Sequence, residues 1–273
     1  MRFSIITVNK NDAGGLRRTI ESVKRYAPRD REYIVIDGAS TDGSVRVIEE
    51  ESDCIDMWVS EPDSGVYQAM NKGISRAKGD FCLFLNSGDL LCGGDRLVAV
   101  TDAGQDIYYS DAALLSNGAR TVIEYPKNLD VNFFVSGMIN HQNALIRRSL
   151  FDRIGLFDES LRLSSDWLFF LKAAYSKKVS FRHVGPPIVE YSIGGISSRS
   201  GSGDIIRRER EYGIRQVFGD VAPTILELIE FRDSVYGNTV RLFGRTKALD
   251  FFVRSYRFFA RRFKLKPRRY DVN

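Results

Sequence analysis

The strongest constraint on what this chain can fold into is the stretch from Ser60 to Asp89. It opens with turn chemistry, Ser60-Glu61-Pro62-Asp63-Ser64-Gly65, in which Pro62 fixes one φ angle and Gly65 is free to take a positive one. Val66, Ala69, Met70, Gly73, Ile74 and Ala77 then fall on one helical face. Phe81 to Leu85 is apolar, too short for a helix, and bounded by Gly79-Asp80 and Asn86-Ser87-Gly88. That pattern predicts a strand buried on both faces, as in a parallel sheet. The polar turn ending in Asp89 then lies at the carboxyl end of the sheet, where open α/β folds bind ligands.

The preceding residues repeat the theme. Arg2 to Val8 and Glu32 to Asp37 read as strands, and Met57 to Val59 as a short third one. Leu16, Ile20, Val23 and Ala27 recur at helical spacing before Pro28, and Ser44 is expected to cap a helix through Glu50. The first 89 residues therefore spell β-α-β-α-β-α-β, the order of a parallel sheet with right-handed crossovers. After Asp89 the rhythm loosens. Ile107 to Ser110 is a strand, and the residues around Asn117-Gly118 suggest a hairpin. Asn143 to Arg147 is another strand, and Leu150 to Ile154 a helical turn stopped by Gly155. Ser164-Ser165-Asp166 precedes an apolar helix from Trp167 to Ala174, and strands follow at Val179 to Val184 and Ile188 to Ser192. The glycine- and serine-rich loop from Gly194 to Gly203 reads as a lid or domain boundary. The division expected is a main domain over 1–203, a helical extension over 204–240 and a basic tail over 241–273.

Composition excludes several classes. Hydrophobic residues make up 43% and charged residues 27%, ordinary for a soluble globular chain. Cys54, Cys82 and Cys92 are odd in number without Cys-x-x-Cys spacing, which suits a reducing compartment, and Cys82 reads as a small buried hydrophobe. The amino terminus reads as a strand rather than a signal peptide, and no window reaches the ~20 apolar residues of a spanning helix. The expected location is the cytoplasm. Net charge is +5, but residues 241–273 carry eleven Lys or Arg and two acidic residues, which leaves −4 for the first 240. In that tail Phe252, Tyr256, Phe259 and Phe263 share one helical face, with Arg254, Arg257 and Arg261 largely off it. Such a helix suits peripheral contact, over 241–269, with the anionic inner face of a membrane. Its alternative is to pack on the body or on a second subunit as a homodimer. An acidic body without a recognised module argues against nucleic acid.

Four carboxylates fall at strand ends or helix starts: Asp37, Asp63, Asp89 and Asp166. Asp37 and Asp89 end two apolar strands of what should be one sheet. A carboxylate there can accept the N3–H of uracil, or N1–H and N2–H of guanine, but finds no donor on the ring nitrogens of adenine. Asp89, on a glycine-flanked turn, is placed to reach Mg²⁺ or Mn²⁺, which take oxygen ligands and keep phosphates and waters.

These residues resemble family 2 glycosyltransferases of the kind that build bacterial exopolysaccharide or O-antigen. The likeness lies in Asp37-Gly38-Ala39-Ser40-Thr41-Asp42-Gly43, in Asp63 to Ile74, and in Gly79-Asp80 through Asn86-Ser87-Gly88-Asp89. It continues in His141 to Arg148, Gly155 to Glu159 and Ser165-Asp166-Trp167-Leu168, and so covers residues 2 to 200 in order. The resemblance implies the GT-A α/β fold, a mostly parallel central sheet flanked by helices, and an inverting transfer. The donor is a UDP- or GDP-sugar, and the acceptor a saccharide or a lipid-linked hydroxyl. Residue by residue, Thr7, Val8, Lys10 and Asn11 would line base and ribose, and Asp37 with Gly38 would meet the base. Asp63, Gly65 and Asn71 would shape the pocket around ribose and diphosphate, beside Asn86 and Ser87. Asp89 would hold the metal, His141 and Gln142 would lie on the acceptor side, and Asp166 would be the general base. Two departures stand out. The metal motif Asp-x-Asp is reduced to Asn86-Ser87-Gly88-Asp89, which shifts cation binding toward the diphosphate, and Lys10 replaces a common tyrosine. A sugar nucleotidyltransferase would need a glycine-rich loop after the first strand, where only Gly14-Gly15 occurs. A nucleotide-sugar-binding or membrane scaffold without turnover is the non-enzymatic alternative.

Overall fold

The structure is a computed structural model that describes residues 2–94, 96, 104–116, 119–192 and 201–234. The hairpin tip Asn117-Gly118, residues 193–200 of the expected lid, and the basic tail with its aromatic face lie outside the described residues.

Four strands form the parallel half of the main sheet: β1 (Phe3–Asn9), β2 (Arg31–Asp37), β3 (Met57–Ser60) and β4 (Phe81–Asn86). Their crossovers carry α1 (Ala13–Tyr26), α2 (Ser44–Glu50) and α3 (Val66–Arg76). β1 is central, paired in parallel with β2 and with β4. Every residue of β1 is buried, as the continuous apolar runs require. Leu16, Ile20 and Val23 of α1 pack with Ile5, Tyr33, Val35, Leu83 and Leu85 on one face. Each such buried aliphatic contributes about 2 kcal/mol relative to exposure. Helix α3 packs closely on the sheet: a Cβ at Gly73 would lie 2.4 Å from Cγ2 of Ile6.

Beyond β4 the topology changes. Strands β6 (Ile107–Tyr109), β9 (Ala144–Arg147) and β10 (Phe181–His183) complete a seven-stranded sheet in the order β10-β6-β9-β4-β1-β2-β3. β9 runs antiparallel to both β4 and β6. A second sheet has the order β5-β11-β7-β8, from β5 (Leu90–Leu91), β7 (Ala112–Ser116), β8 (Ala119–Ile123) and β11 (Val189–Ser192). β7 and β8 form the expected hairpin. The short helices α4 (Val131–Ser136) and α5 (Ser149–Ile154) precede α6 (Ser165–Tyr175) and α7 (Ser202–Phe218). Gly155 ends α5 at φ 102°, as its position predicts. By contrast Ser44 is not the cap of α2. It is the first helical residue, and Asp42 Oδ1 accepts from its backbone N–H at 3.1 Å and its hydroxyl at 2.6 Å. Cys82 is a buried hydrophobe, its thiol pushed up to about 12 by burial.

The chain separates into two compact units, Met1–Val217 and Phe218–Asn273. Helix α7 thus belongs with the sheets, where Glu209 accepts from the backbone N–H groups of Arg162 and Leu163, at 2.6 and 3.0 Å, just before α6. The second unit contains α8 (Ala222–Asp233), which exposes Leu228 and Phe231.

At the amino end of the sheet Glu32 is buried and accepts from Ser4 Oγ at 2.6 Å, Lys78 N at 2.5 Å and Gly79 N at 3.0 Å. One carboxylate thereby ties β1, β2 and the entry to β4. The approach depends on Gly79, where a Cβ would lie 2.7 Å from both Phe3 C and Ser4 N. Since backbone cannot yield as a side chain can, Gly79→Ala should cost about 1–3 kcal/mol of unfolding free energy. Urea denaturation checks this, and an unchanged midpoint would show that the entry to β4 relaxes freely.

Candidate active site

Strand register aligns the polar ends on one rim: Asn9 lies opposite Asp37, Val8 opposite Asn86, and Asp37 opposite Ser60. Asp37 is 0% exposed. Its Oδ1 accepts from Asn9 Nδ2 at 2.7 Å and Ser40 Oγ at 2.6 Å, and its Oδ2 from Ser40 N at 2.9 Å and Ser60 Oγ at 2.6 Å. Burial works to raise this carboxyl, but the bonds from Ser40, Ser60 and Asn9 hold it below its ordinary value. Four donors fill the acceptor capacity of a carboxylate. In this arrangement Asp37 therefore builds the loop, and a base edge meets it only by displacing a serine hydroxyl.

That loop is drawn over the end of β1. Asn11 N donates to Ser40 Oγ at 2.8 Å, Thr41 N to Asn11 Oδ1 at 2.8 Å, and Lys10 Nζ donates to the Gly38 carbonyl. Asn11 and Ala39 hold left-handed φ angles of 52° and 57°, local strain of the kind that collects at functional sites. Gly38 is required by close approach, since a Cβ would sit 2.2 Å from Asp63 Oδ2 and 2.9 Å from Lys10 Cδ. Lys10, Gly38 and Asp63 are thus one cluster, with Gly65 at φ 150° donating its N–H to Asp63 Oδ1. Thr7 and Val8 are buried instead. Thr7 Oγ1 accepts from Tyr33 Oη at 3.0 Å, and the Val8 carbonyl accepts from Ser87 N at 3.0 Å.

A second cluster forms where β9 meets β4. Because β9 is antiparallel, it begins at the rim where β4 ends, and the single 3-10 turn His141–Asn143 leading into it lies beside Asn86. His141 Nδ1 is 2.7 Å from Asp166 Oδ2, and its Nε2 is 3.4 Å from Asn86 Nδ2. Asp166 Oδ1 accepts from Tyr67 Oη and Trp167 N, both at 2.9 Å. Burial pushes Asp166 up, but His141, Tyr67 and the Trp167 N–H outweigh it and hold the carboxyl below its usual range. Asp89 is the opposite case. The glycine-flanked turn predicts a free carboxylate, yet Asp89 is 5% exposed and its Oδ2 accepts from Asn86 N at 2.7 Å. Burial drives it up to about 7, against weaker help from the Asn86 N–H, the charge of His141 and a bond from the Gln142 side chain. Asn86 Oδ1 is buried with no hydrogen-bond partner.

Not every expected residue joins the site. Asn71 Nδ2 donates to the Phe157 carbonyl at 2.9 Å and to Glu159 Oε1 at 2.8 Å, while its Oδ1 accepts from Phe157 N at 3.1 Å. It clamps α3 to the Phe157 turn rather than shaping a diphosphate pocket. His183 pairs with Asp111 at 2.7 Å and supports the strand ends. Tyr67, Asn9, Ser40 and Ser60 join the site although no role is expected for them from the sequence; Tyr67 and Ser40 lie within the motifs that carry the family resemblance. Among the described residues no group of three or more His, Cys, Asp or Glu gathers to hold a metal, and no helix is long and apolar enough to cross a membrane.

A parallel-centred sheet with aspartates at its carboxyl rim and an inserted antiparallel strand is the arrangement of the GT-A fold. The profile of glycosyl transferase family 2 matches residues 4–155, and this chain belongs to that family. An uncharacterized glycosyltransferase of Mycobacterium tuberculosis is 33% identical over 205 residues, covering 71% of this chain and 76% of that protein. A PGL/p-HBAD biosynthesis glycosyltransferase of Mycobacterium bovis is 29% identical over 79% of this chain and 88% of its own length. Two solved structures share the fold. Staphylococcus aureus TarS 1–349 in complex with UDP-GlcNAc has a TM-score of 0.64 at 17% identity, over 89% of this chain and 76% of that one. The mannosyltransferase PcManGT from Pyrobaculum calidifontis, in complex with GDP-Man and Mn²⁺, has 0.60 at 16% identity, over 94% and 80%.

The donors around Asp37 set a stability test. Asp37→Asn turns an acceptor group toward Asn9 and two serines into one that also carries N–H, and should cost about 2 kcal/mol at pH 7. The native carboxyl is held below its unfolded value, so its contribution is present above about pH 4 and lost as pH falls through the folded value. Urea denaturation at pH 7 and pH 3 should show the gap between wild type and variant narrowing at acid pH. A gap independent of pH would show that the carboxyl's charge does not support the loop.

Proposed function

We propose that this glycosyltransferase moves a sugar from a UDP- or GDP-sugar, with inversion, to a hydroxyl of a saccharide or lipid-linked acceptor in cell-surface polysaccharide or glycolipid assembly. The observation that carries the reading is the chain of contacts on one rim: Tyr67 to Asp166 to His141 to Asn86, with Asp89 in the same turn. The PGL/p-HBAD biosynthesis relative supports the glycolipid context, and the UDP-GlcNAc and GDP-Man complexes of fold neighbours support the donor class.

Each part of the rim has chemical work in that reaction. Lys10, Gly38 and Asp63 frame the donor side beside the loop that Asp37 holds. Asp89 is a lone carboxylate that burial pushes to about 7, so it fits a Mg²⁺ or Mn²⁺ shared with the donor's diphosphate better than one held by protein alone. When bound, such a cation stabilises negative charge on the departing diphosphate oxygen. Asp166 and His141 supply the acid–base pair on the acceptor side, since the attacking hydroxyl must lose its proton. Tyr67 and the Trp167 N–H keep Asp166 ionised for that task.

The direct test is to incubate the protein with UDP- and GDP-sugars, Mn²⁺ and candidate acceptors, then measure nucleoside diphosphate release and the anomeric configuration of product. Inverted product from one donor class is expected; no nucleotide-sugar binding, or product of retained configuration, would overturn the reading. In isothermal titration, Mn²⁺ should tighten donor binding to wild type. Asp89→Ala should lose about tenfold or more of that metal-dependent affinity, the cost typical of disturbing a metal site, while keeping the metal-free affinity. Chelation with EDTA should bring wild type to the level of the variant.

A further inference from the structure

Strand β8 is an edge of the second sheet. It pairs with β7 alone, and every one of its residues, from Ala119 to Ile123, is exposed. Val122 and Ile123 expose 42% and 40% of their surface, one on each face of the strand. An open edge is a template for another strand, and charge placed along it decides which strands can add. Here the order is Arg120, Thr121, Val122, Ile123 and then Glu124, which is exposed as well.

The register fixes where the free backbone groups point. Ser116 pairs with Ala119 across only two intervening residues, so these two exchange the hydrogen bonds that close the hairpin. By alternation Thr121 and Ile123 also turn their N–H and C=O groups to β7. The next odd position agrees, since Tyr125 N donates to Asp111 Oδ1, at the start of β7, at 3.0 Å. Arg120 and Val122 therefore turn their backbone groups outward, and among the described residues nothing bonds them. Glu124 continues in the same sense.

We propose that β8 is a self-pairing edge, through which two copies of this chain join antiparallel about a twofold axis at Val122 and make their four-stranded sheets one continuous sheet. Such an isologous contact sets the same strand against itself, so its own sequence must be self-complementary. Centred on Val122, the pairing sets Arg120 of each copy opposite Glu124 of the other, with Val122 opposite Val122 exchanging backbone bonds. All these residues carry outward backbone groups, as a hydrogen-bonded pair requires. Centred on Arg120 or on Glu124 instead, the strands would oppose like charges; centred on Thr121 or Ile123, they would leave a charge opposite Val122. Arg120 is prepared for the role. Its Nε donates to Glu190 Oε1 at 2.6 Å, which holds the side chain over the sheet and leaves its terminal nitrogens for a second carboxylate. On the other face the exposed Ile123 meets Thr121 of the second copy. Self-pairing of this kind goes beyond the sugar-transfer reading and does not depend on it.

Charge variants of the full chain test the pairing by sedimentation equilibrium, with thermal unfolding of each to show that the fold survives. An edge of this length makes a small interface, so wild type should dimerise with a dissociation constant on the order of micromolar. Glu124→Arg sets arginine opposite Arg120 at both ends of the pair, and Arg120→Glu sets glutamate opposite Glu124. Each should weaken the dimer at least about tenfold. Mixed in equal amounts, the two variants meet with every charge complemented, and a dimer should return. Val122→Pro removes an N–H that β7 does not use, which an edge strand tolerates, and should give a folded monomer. Wild type that stays monomeric well above micromolar concentration overturns the proposal. So does a charge variant that dimerises as wild type does, which would place the contact elsewhere on the chain, or a mixture that remains monomeric.

Discussion

A carboxylate removed from water must be given donors, or it gives up its charge, and the rim of this sheet is organised by how that requirement is met. Asp37, Asp89 and Asp166 are all buried, but their partners differ in number and kind. Asp37 has four hydrogen bonds and sits below its ordinary value; Asp166 has three, one from an imidazole, and also sits below. Asp89 has the Asn86 N–H and Gln142 and is driven to about 7. The first is satisfied and structural, the second is satisfied by a group that can itself carry a proton, and the third is left short of positive charge. A ligand that brings positive charge gains most at Asp89.

The antiparallel strand is what brings these groups together. In a wholly parallel sheet every strand would arrive at the carboxyl rim by its end. β9 instead departs from that rim, so the residues just before it, His141 and Gln142, are laid beside the turn that follows β4. Asn143 fixes their position: its Oδ1 accepts from Ser110 Oγ at 3.0 Å and Val189 N at 3.2 Å, tying the turn to the ends of β6 and β11. From the other side α7 steadies the start of α6. Arg210 lies 5.2 Å over the Trp167 ring, and Gly213 admits that ring where a Cβ would come within 2.7 Å of it. Asp166 is therefore fixed from both flanks.

The sequence carried the parallel half of this design plainly. Apolar runs ending in Asp37 and in Asn86-Ser87-Gly88-Asp89 told both that the strands were buried and that their polar ends shared a rim. Asp166 stood out through the family resemblance, since a carboxylate at the start of an apolar helix is by itself more often a cap. What could not be read were pairings with no local period. Tyr67 reaches Asp166 across 99 positions, Asn71 reaches Phe157 across 86, and Asn9 reaches Asp37 across 28. Helical and strand periodicity report which face a residue takes, not which distant backbone it will meet. The family resemblance, which carries roles by position, likewise implied a pocket role for Asn71 and a base or ribose contact for Thr7, whereas Asn71 clamps α3 to the Phe157 turn and Thr7 is bonded to Tyr33. The direction of β9 was equally hidden, since a four-residue strand with three apolar residues reads alike in either sense.

The same geometry couples the charged groups of the rim. His141 Nδ1 lies 2.7 Å from Asp166 Oδ2, and the charge of His141 also acts on Asp89, so one side chain bears both on a carboxylate held ionised and on one that burial drives to about 7. In a low-dielectric site such coupling is stronger than in water. The two carboxylates are thus joined through a side chain that the antiparallel strand delivers to the rim.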